Sequence, residues 1–207
     1  MKIFLDCEFT QLNRDSKLIS LALVSESGQE FYVELTDTYL VEDCSDFVIQ
    51  NVLPQLDPLR CGQSLVEARA SLRRFLGSFD EKLEVCSDAP HWDWQLFRDL
   101  VCVDHQPWPI HVMDQPNDLT ILSNQVSAEA LEEQDLSDLP HHALLDARML
   151  AELSRHWPLG LLRHHRGTSR RWSLSFERCP AGDLSSTIGG EATKLDYFKL
   201  WLSHNYC

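Results

Sequence analysis

The feature that most constrains this 207-residue chain is a pair of acids inside an otherwise apolar segment near its N-terminus. Residues 2–9 read KIFLDCEF, the pattern of a buried strand interrupted by Asp6 and Glu8. Because alternate residues of a strand share a face, both carboxylates project from one surface. Two buried carboxylates repel each other and lose hydration unless a proton or a cation offsets their charge. The motif predicts a site for a hard divalent cation, and the alternative is an edge strand whose acids face water.

The remaining pattern predicts an α/β fold that begins with an antiparallel three-stranded meander. Strands are predicted at residues 2–6, 17–24, 29–35, 82–86 and 110–113, where apolar residues run continuously or alternate with polar ones. Helices are predicted near residues 47–53, after Ser64, at 90–101, at 127–134 and from Pro140 onward. The helix after Ser64 carries the clearest signal, because Ser64 and Glu67 form a capping box before an apolar helical stripe.

Two more acids stand at element ends. Asp93 falls in the first turn of the helix predicted to begin at Pro90, just beyond a strand, where open sheets place their sites. Its alternative role is to complement the helix dipole. Asp146 lies close to the apolar face of the late helix, where an isolated acid is disfavoured. Pro140 leaves His141 at the loop end of that helix, free to fold over whatever Asp146 binds, although most histidines are surface or satisfied core residues.

Composition narrows the class of protein. A net charge of −14 argues against a protein that coats nucleic acid electrostatically, although residues 163–178 hold five arginines against one glutamate. The seven cysteines are odd in number and scattered, which indicates reduced thiols without a disulfide framework or zinc site. No apolar run approaches the ~20 residues of a membrane span, and the N-terminus does not resemble a signal peptide. We therefore expect a cytoplasmic protein that makes no membrane contact.

Taken together, the Asp-x-Glu pair, the acid that opens a helix, and the His-x4-Asp motif resemble the DEDDh group of 3′-to-5′ exonucleases. The likeness is closest to the small single-domain exoribonucleases of that group, and it covers about residues 2–157. The resemblance implies a ribonuclease H-like mixed sheet flanked by helices, with three antiparallel strands followed by parallel ones. Residues 158–207 then form a C-terminal extension, packed on the same domain or following it.

The resemblance also implies roles for individual residues. Two divalent cations, Mg²⁺ or Mn²⁺, would be held about 3.5 to 4 Å apart, one activating water and the other stabilising the leaving 3′-oxygen. The general base would be His141. The terminal nucleotide pocket would be lined by Phe9 and Thr10, and Phe9 is equally well explained as a core aromatic. The metal ligands implied by the resemblance are Asp6, Glu8, Asp93 and Asp146.

The sequence also departs from the family pattern at two places. Phe9 stands where many DEDDh enzymes have threonine, and Asp88 stands near the usual His-Asn that precedes the third acid. The expected substrate is RNA or another nucleic acid with a single-stranded 3′ end, and hydrolysis from that end would release nucleoside 5′-monophosphates. A homodimer is possible. The alternatives are a DNA-directed exonuclease and a catalytically silent nucleic-acid-binding module.

Overall fold

The computed structural model describes residues 1–102, 106–120 and 141–156. Within these ranges no helix is both long and apolar enough to cross a membrane. The helix predicted at 127–134, the arginine-rich stretch at 163–178 and the C-terminal extension at 158–207 lie outside the described residues.

A six-stranded mixed sheet forms the centre of the described fold. Its strands are β1 (Lys2–Phe9), β2 (Leu18–Ser25), β3 (Glu30–Leu35), β4 (Gly62–Gln63), β5 (Glu84–Ser87) and β6 (Asn117–Asp118). Their order across the sheet is β4-β3-β2-β1-β5-β6. The first three strands pair antiparallel, whereas β4 joins β3, β5 joins β1 and β6 joins β5 in parallel. The predicted succession of antiparallel and then parallel strands is confirmed.

Five described helices surround the sheet. They are α1 (Asp46–Asn51), α2 (Pro58–Cys61), α3 (Leu65–Leu76), α4 (Pro90–Val101) and α5 (Ala143–His156), with short 3-10 turns at Val41–Asp43 and Leu53–Gln55. The capping box before α3 is confirmed, since the Ser64 hydroxyl accepts from the Glu67 amide and the Glu67 carboxylate accepts from the Ser64 amide. The helix predicted to begin at Pro90 is also confirmed.

The strand predicted at residues 110–113 is wrong. Val112 makes only an isolated parallel bridge with Leu83, and the sixth strand lies later, at Asn117–Asp118. A turn occupies the predicted segment, because the Val112 amide donates to the Pro109 carbonyl at 2.9 Å and the Val112 carbonyl accepts from the Trp108 indole at 2.8 Å. These local bonds use backbone groups that a longer ladder would need.

The two faces of β1 contact different layers. Ile3, Leu5 and Cys7 belong to an apolar cluster that includes residues of α3 and α4. Phe4 points the other way, into a second cluster under α5. This alternation follows from the twofold side-chain period of a strand, and it puts Asp6 and Glu8 on the face of Phe4.

Small side chains bring α5 close to that second face. Ala143, Ala147 and Ala151 are four residues apart, so they lie on one side of the helix, and all three are buried in the cluster with Phe4. Because alanine adds little bulk between helix and sheet, Asp146 in the first turn of α5 is brought down onto the acids of β1.

Candidate active site

The two acids of β1 lie at the carboxyl end of the strand, beside small uncharged neighbours. Asp6 pairs with Ala22 and Glu8 pairs with Ser20 on β2. Asp6 is 8% exposed, whereas Glu8 is partly exposed. The register shifts directly after Glu8, at a bulge between Glu8 and Phe9. Bulges of this kind re-aim side chains at the rim of a sheet.

Asp93 reaches the same place from the opposite side of the sheet. The chain leaves β5 at Ser87, Pro90 starts α4, and Asp93 lies in its first turn with 1% exposure. The Ser87 hydroxyl donates to Asp93 Oδ2 at 2.6 Å, and the backbone amide of Cys7 also donates to this carboxylate. These bonds aim the carboxylate at the end of β1.

Asp146 completes the group from α5. It is 6% exposed and lies in the first turn of the helix, where the His142 amide donates to its Oδ2 at 3.3 Å. Carboxylates are favoured at helix N-termini, so α5 supplies local compensation for the charge of this acid.

The acids form two overlapping trios. Ligand oxygens of Asp6, Glu8 and Asp146 lie within 4.8 Å of one another, and the same limit holds for Asp6, Asp88 and Asp93. Asp6 belongs to both trios. All four acids singled out from the sequence therefore converge in the structure, in two candidate sets of metal ligands that share one carboxylate.

Asp88 joins the candidate ligands although the sequence motifs do not single it out. It directly follows β5, is 1% exposed and joins Asp6 and Asp93. Its main-chain carbonyl accepts from the Thr120 hydroxyl at 2.8 Å, which ties this junction to the segment after β6. The available signal was its position, since the carboxyl end of a parallel strand is where open sheets place functional groups.

Burial and mutual repulsion dominate the electrostatics of the acids. Burial raises the pKa of Asp93 to about 7. The pKa of Asp146 is raised to about 8, mainly by burial and further by the charge of Asp93. Burial, followed by the neighbouring carboxylates, raises the pKa values of Asp6, Glu8 and Asp88 well above their usual range. Because of these raised pKa values the carboxyl groups retain protons near neutral pH, and a bound divalent cation would replace those protons.

The two histidines before α5 have different environments. The helix begins at Ala143, later than predicted from Pro140, so both histidines precede it. The ring of His142 stacks on Tyr32 with centroids 4.8 Å apart, and its Nδ1 accepts from the Leu144 amide at 3.3 Å. His142 thus acts as a helix cap, and burial lowers its pKa. The His141 ring instead lies edge-to-face with Phe47, with centroids 4.7 Å apart.

The two residues expected to contact substrate lie next to the acids. Phe9 is half-buried, packs against the apolar cluster and stacks with Trp92 at 5.8 Å between centroids. Thr10 is fully buried, and its hydroxyl accepts from the Lys17 amide at 3.1 Å. Trp94 packs in the core with Phe97, so only Trp92 of the two tryptophans flanking Asp93 lies beside Phe9. Substrate contact by Phe9 and Thr10 stays a prediction.

Comparison with known proteins shows a likeness of fold. No family model matches the chain, and no curated protein matches it. Among solved structures, the chain is similar to the nuclease domain of 3′hExo, a DEDDh family member, determined with bound rAMP. The match has a TM-score of 0.51 at 15% sequence identity, and it covers 75% of this chain and 90% of that one. The fold is therefore ribonuclease H-like, as the family resemblance implied.

Proposed function

We propose that this protein is a metal-dependent 3′-to-5′ exonuclease that acts on RNA. The observation that carries the proposal is the pair of acid trios sharing Asp6 at the carboxyl end of β1. Supporting it is the structural likeness to a DEDDh nuclease domain that binds rAMP. Neither the fold nor a single acid would suffice, because ribonuclease H-like folds serve several functions and acids also occur as dipole partners.

The donor set fits two hard divalent cations. All the ligand atoms are carboxylate oxygens, which Mg²⁺ and Mn²⁺ prefer to the sulfur and imidazole ligands of softer metals. Asp6, Glu8 and Asp146 would hold one ion, and Asp6, Asp93 and Asp88 the other. When bound, the ions would supply Lewis-acid stabilisation of the charge that develops during phosphodiester hydrolysis.

The protein's own groups would orient the substrate and move the proton. His141 is the proposed general base, because it lies five residues before Asp146, as in the family motif, and precedes α5, whereas the Nδ1 of His142 is engaged in capping the helix. The aromatic pair of Phe9 and Trp92 offers an apolar surface beside the acids for the terminal base or sugar. Hydrolysis at this position would release one nucleoside 5′-monophosphate in each cycle.

The decisive experiment is product analysis with defined ends. Single-stranded RNA and DNA of the same sequence, labelled at the 5′ or the 3′ end, are incubated with Mg²⁺, with Mn²⁺ or with EDTA. We expect a ladder shortened from the 3′ end of RNA, release of 5′-monophosphates and no reaction in EDTA. If DNA were digested faster than RNA, DNA would be the substrate instead. Cleavage at internal positions would contradict an exonuclease.

A different measurement distinguishes the proposed enzyme from a catalytically silent binding module. Divalent cations stabilise a protein that binds them only when folded. We expect Mg²⁺ or Mn²⁺ to raise the melting temperature, with K⁺ at matched ionic strength as the control. A module without a metal site would respond equally to both salts.

A further inference from the structure

The segment between β3 and β4 is fixed to the end of β1. The Ser45 amide donates to the Thr10 carbonyl at 2.9 Å, and Ser45 caps α1 by accepting from the Val48 amide. Val48 and Val52 are buried in a small cluster with Ile19 of β2. Although α1 contains only six residues, its position relative to the sheet is set by both main-chain and apolar contacts.

From this fixed position the segment contacts the main chain of His141. Gln55 Nε2 donates to the His141 carbonyl at 3.2 Å and to the Asn51 carbonyl at 2.5 Å. The amide of Gln55 therefore links the end of α1 to a residue 86 positions later in the chain. A loop held by such hydrogen bonds has less backbone freedom than a loop without them.

The same segment also contacts the side chain of His141. Phe47 lies on α1, and its ring meets the imidazole at an interplanar angle of 81°. Phe47 is 42% exposed, so a large part of its surface is not used in the core. Edge-to-face packing restricts rotation of the imidazole, because the preferred geometry of two rings depends on their relative orientation.

We propose that Phe47 and Gln55 are positioning residues for the general base. Phe47 orients the imidazole of His141, and Gln55 holds the main chain of His141. Because α1 is fixed to the end of β1, these contacts fix the base relative to the end of β1. Since a general base must lie within hydrogen-bond reach of the proton it accepts, small displacements reduce the rate of the chemical step. This inference rests on the proposed function, and specifically on His141 as the base.

The test compares Phe47→Ala with Ile49→Ala. Both side chains lie on α1 and are similarly exposed, at 42% and 39%. We expect Phe47→Ala to lower kcat by about 10- to 100-fold with KM little changed, since misplacement of a catalytic group affects the transition state selectively. Ile49→Ala should retain kcat, and Phe47→Tyr should restore most of the loss because it keeps an aromatic ring. Equal losses in the two alanine variants would overturn the inference.

A double-mutant cycle shows whether Phe47 acts through His141. In the His141→Ala background, Phe47→Ala should cause no further loss of kcat, because the group that it positions is gone. A purely structural contribution would instead give the same loss in both backgrounds, and additive losses would overturn the inference. Circular dichroism and melting temperatures measured on every variant give the folded fraction by which kcat is corrected.

Gln55→Ala tests the main-chain half of the inference. We expect a loss of kcat of roughly tenfold that also disappears in the His141→Ala background. If His141→Ala itself leaves kcat unchanged, the assignment of the base fails. If His141→Ala is strongly impaired while the Phe47 and Gln55 variants are not, only the positioning role fails.

Discussion

The two faces of the central sheet are built from the same strand in different ways. Toward α3 and α4, β1 presents Ile3, Leu5 and Cys7 to a cluster of buried apolar side chains, against which Phe9 also packs. Toward α5, β1 presents Phe4 and then Asp6 and Glu8, in the same alternation. Apolar burial therefore stabilises the face toward α3 and α4, whereas on the face toward α5 buried carboxylates offset part of that stabilisation.

The difference shows how the face of the sheet that carries Asp6 and Glu8, the acidic face, remains folded. Alanines on α5 and Ala22 on β2 let helix and sheet approach closely around Phe4, so apolar packing continues up to the acids. Helix N-termini then lie next to Asp93 and Asp146, where their dipoles favour negative charge. The remaining repulsion must be offset by protons or cations, so we expect this face to respond to metal.

A reciprocal pair of substitutions gives the largest expected effect. Asp6→Asn removes the acid common to both trios, so we expect activity to be abolished, while the metal-free protein melts at a higher temperature because repulsion is relieved. On the apolar face, Leu72→Ala should cost about 2–5 kcal/mol of stability and leave the turnover of the folded molecules intact. Turnover and melting temperature are measured for both.

Exposed Glu26 provides the control for Asp6→Asn. Glu26→Gln makes the same change from acid to amide, and it should alter neither activity nor the response of the melting temperature to Mn²⁺. Near wild-type turnover in Asp6→Asn would contradict the shared-ligand arrangement.

The second prediction separates the two histidines. His141→Ala should lower kcat by roughly two to four orders of magnitude, the usual contribution of a general base, while metal affinity stays largely unchanged. His142→Ala should cost much less activity and more stability, because it removes a helix cap and the stack on Tyr32. Steady-state kinetics, metal titration and thermal melts compare the variants, and reversed effects would move the base to His142.

How much of the acidic face the sequence predicts depends on the local pattern around each residue. Asp6 and Glu8 are visible because they break an apolar strand, and Asp93 because Pro90 marks the start of its helix. The predicted start of α5 at Pro140 is three residues too early, since the proline marks a boundary without showing that the His142 ring caps the helix from Ala143. Local pattern indicates an element, but the exact cap depends on tertiary contacts.

The remaining errors involve pairings between distant segments. β4 contains only two residues, and it exists because Gly62 and Gln63 pair with the end of β3. The apolar residues at 110–113 predict a strand by composition, yet the Pro109 turn prevents a ladder there, and Asn117 pairs with β5 instead. The sequence does not single out Asp88 for a related reason, since its distance to Asp6 depends on the parallel pairing of β5 with β1.

The third prediction tests whether Asp88 belongs to the acidic face in function. Asp88→Asn should weaken binding of Mn²⁺ by about 10- to 100-fold, the range typical of groups that support a metal site, and activity should recover partly at high Mn²⁺. Isothermal titration and activity measured against metal concentration check this. Asp118→Asn at the exposed end of β6 is the control. Unchanged affinity in Asp88→Asn would exclude Asp88 from the site.

The smallest expected effect is the pH dependence of stability, which compares the two faces in one measurement. Burial raises the pKa values of Asp93 and Asp146 from an ordinary 3.8 to about 7 and about 8. Between these limits the folded protein retains protons that the unfolded chain has lost, so the free energy of unfolding falls as pH rises. We therefore expect the melting temperature in EDTA to decrease by several degrees from about pH 5 to about pH 8. Asp6→Asn and saturating Mn²⁺ should each flatten this decrease, whereas Leu72→Ala should lower the whole curve without changing its slope. An increase across the same window in EDTA would contradict the raised pKa values, because it would require acids that are stabilised in their charged form.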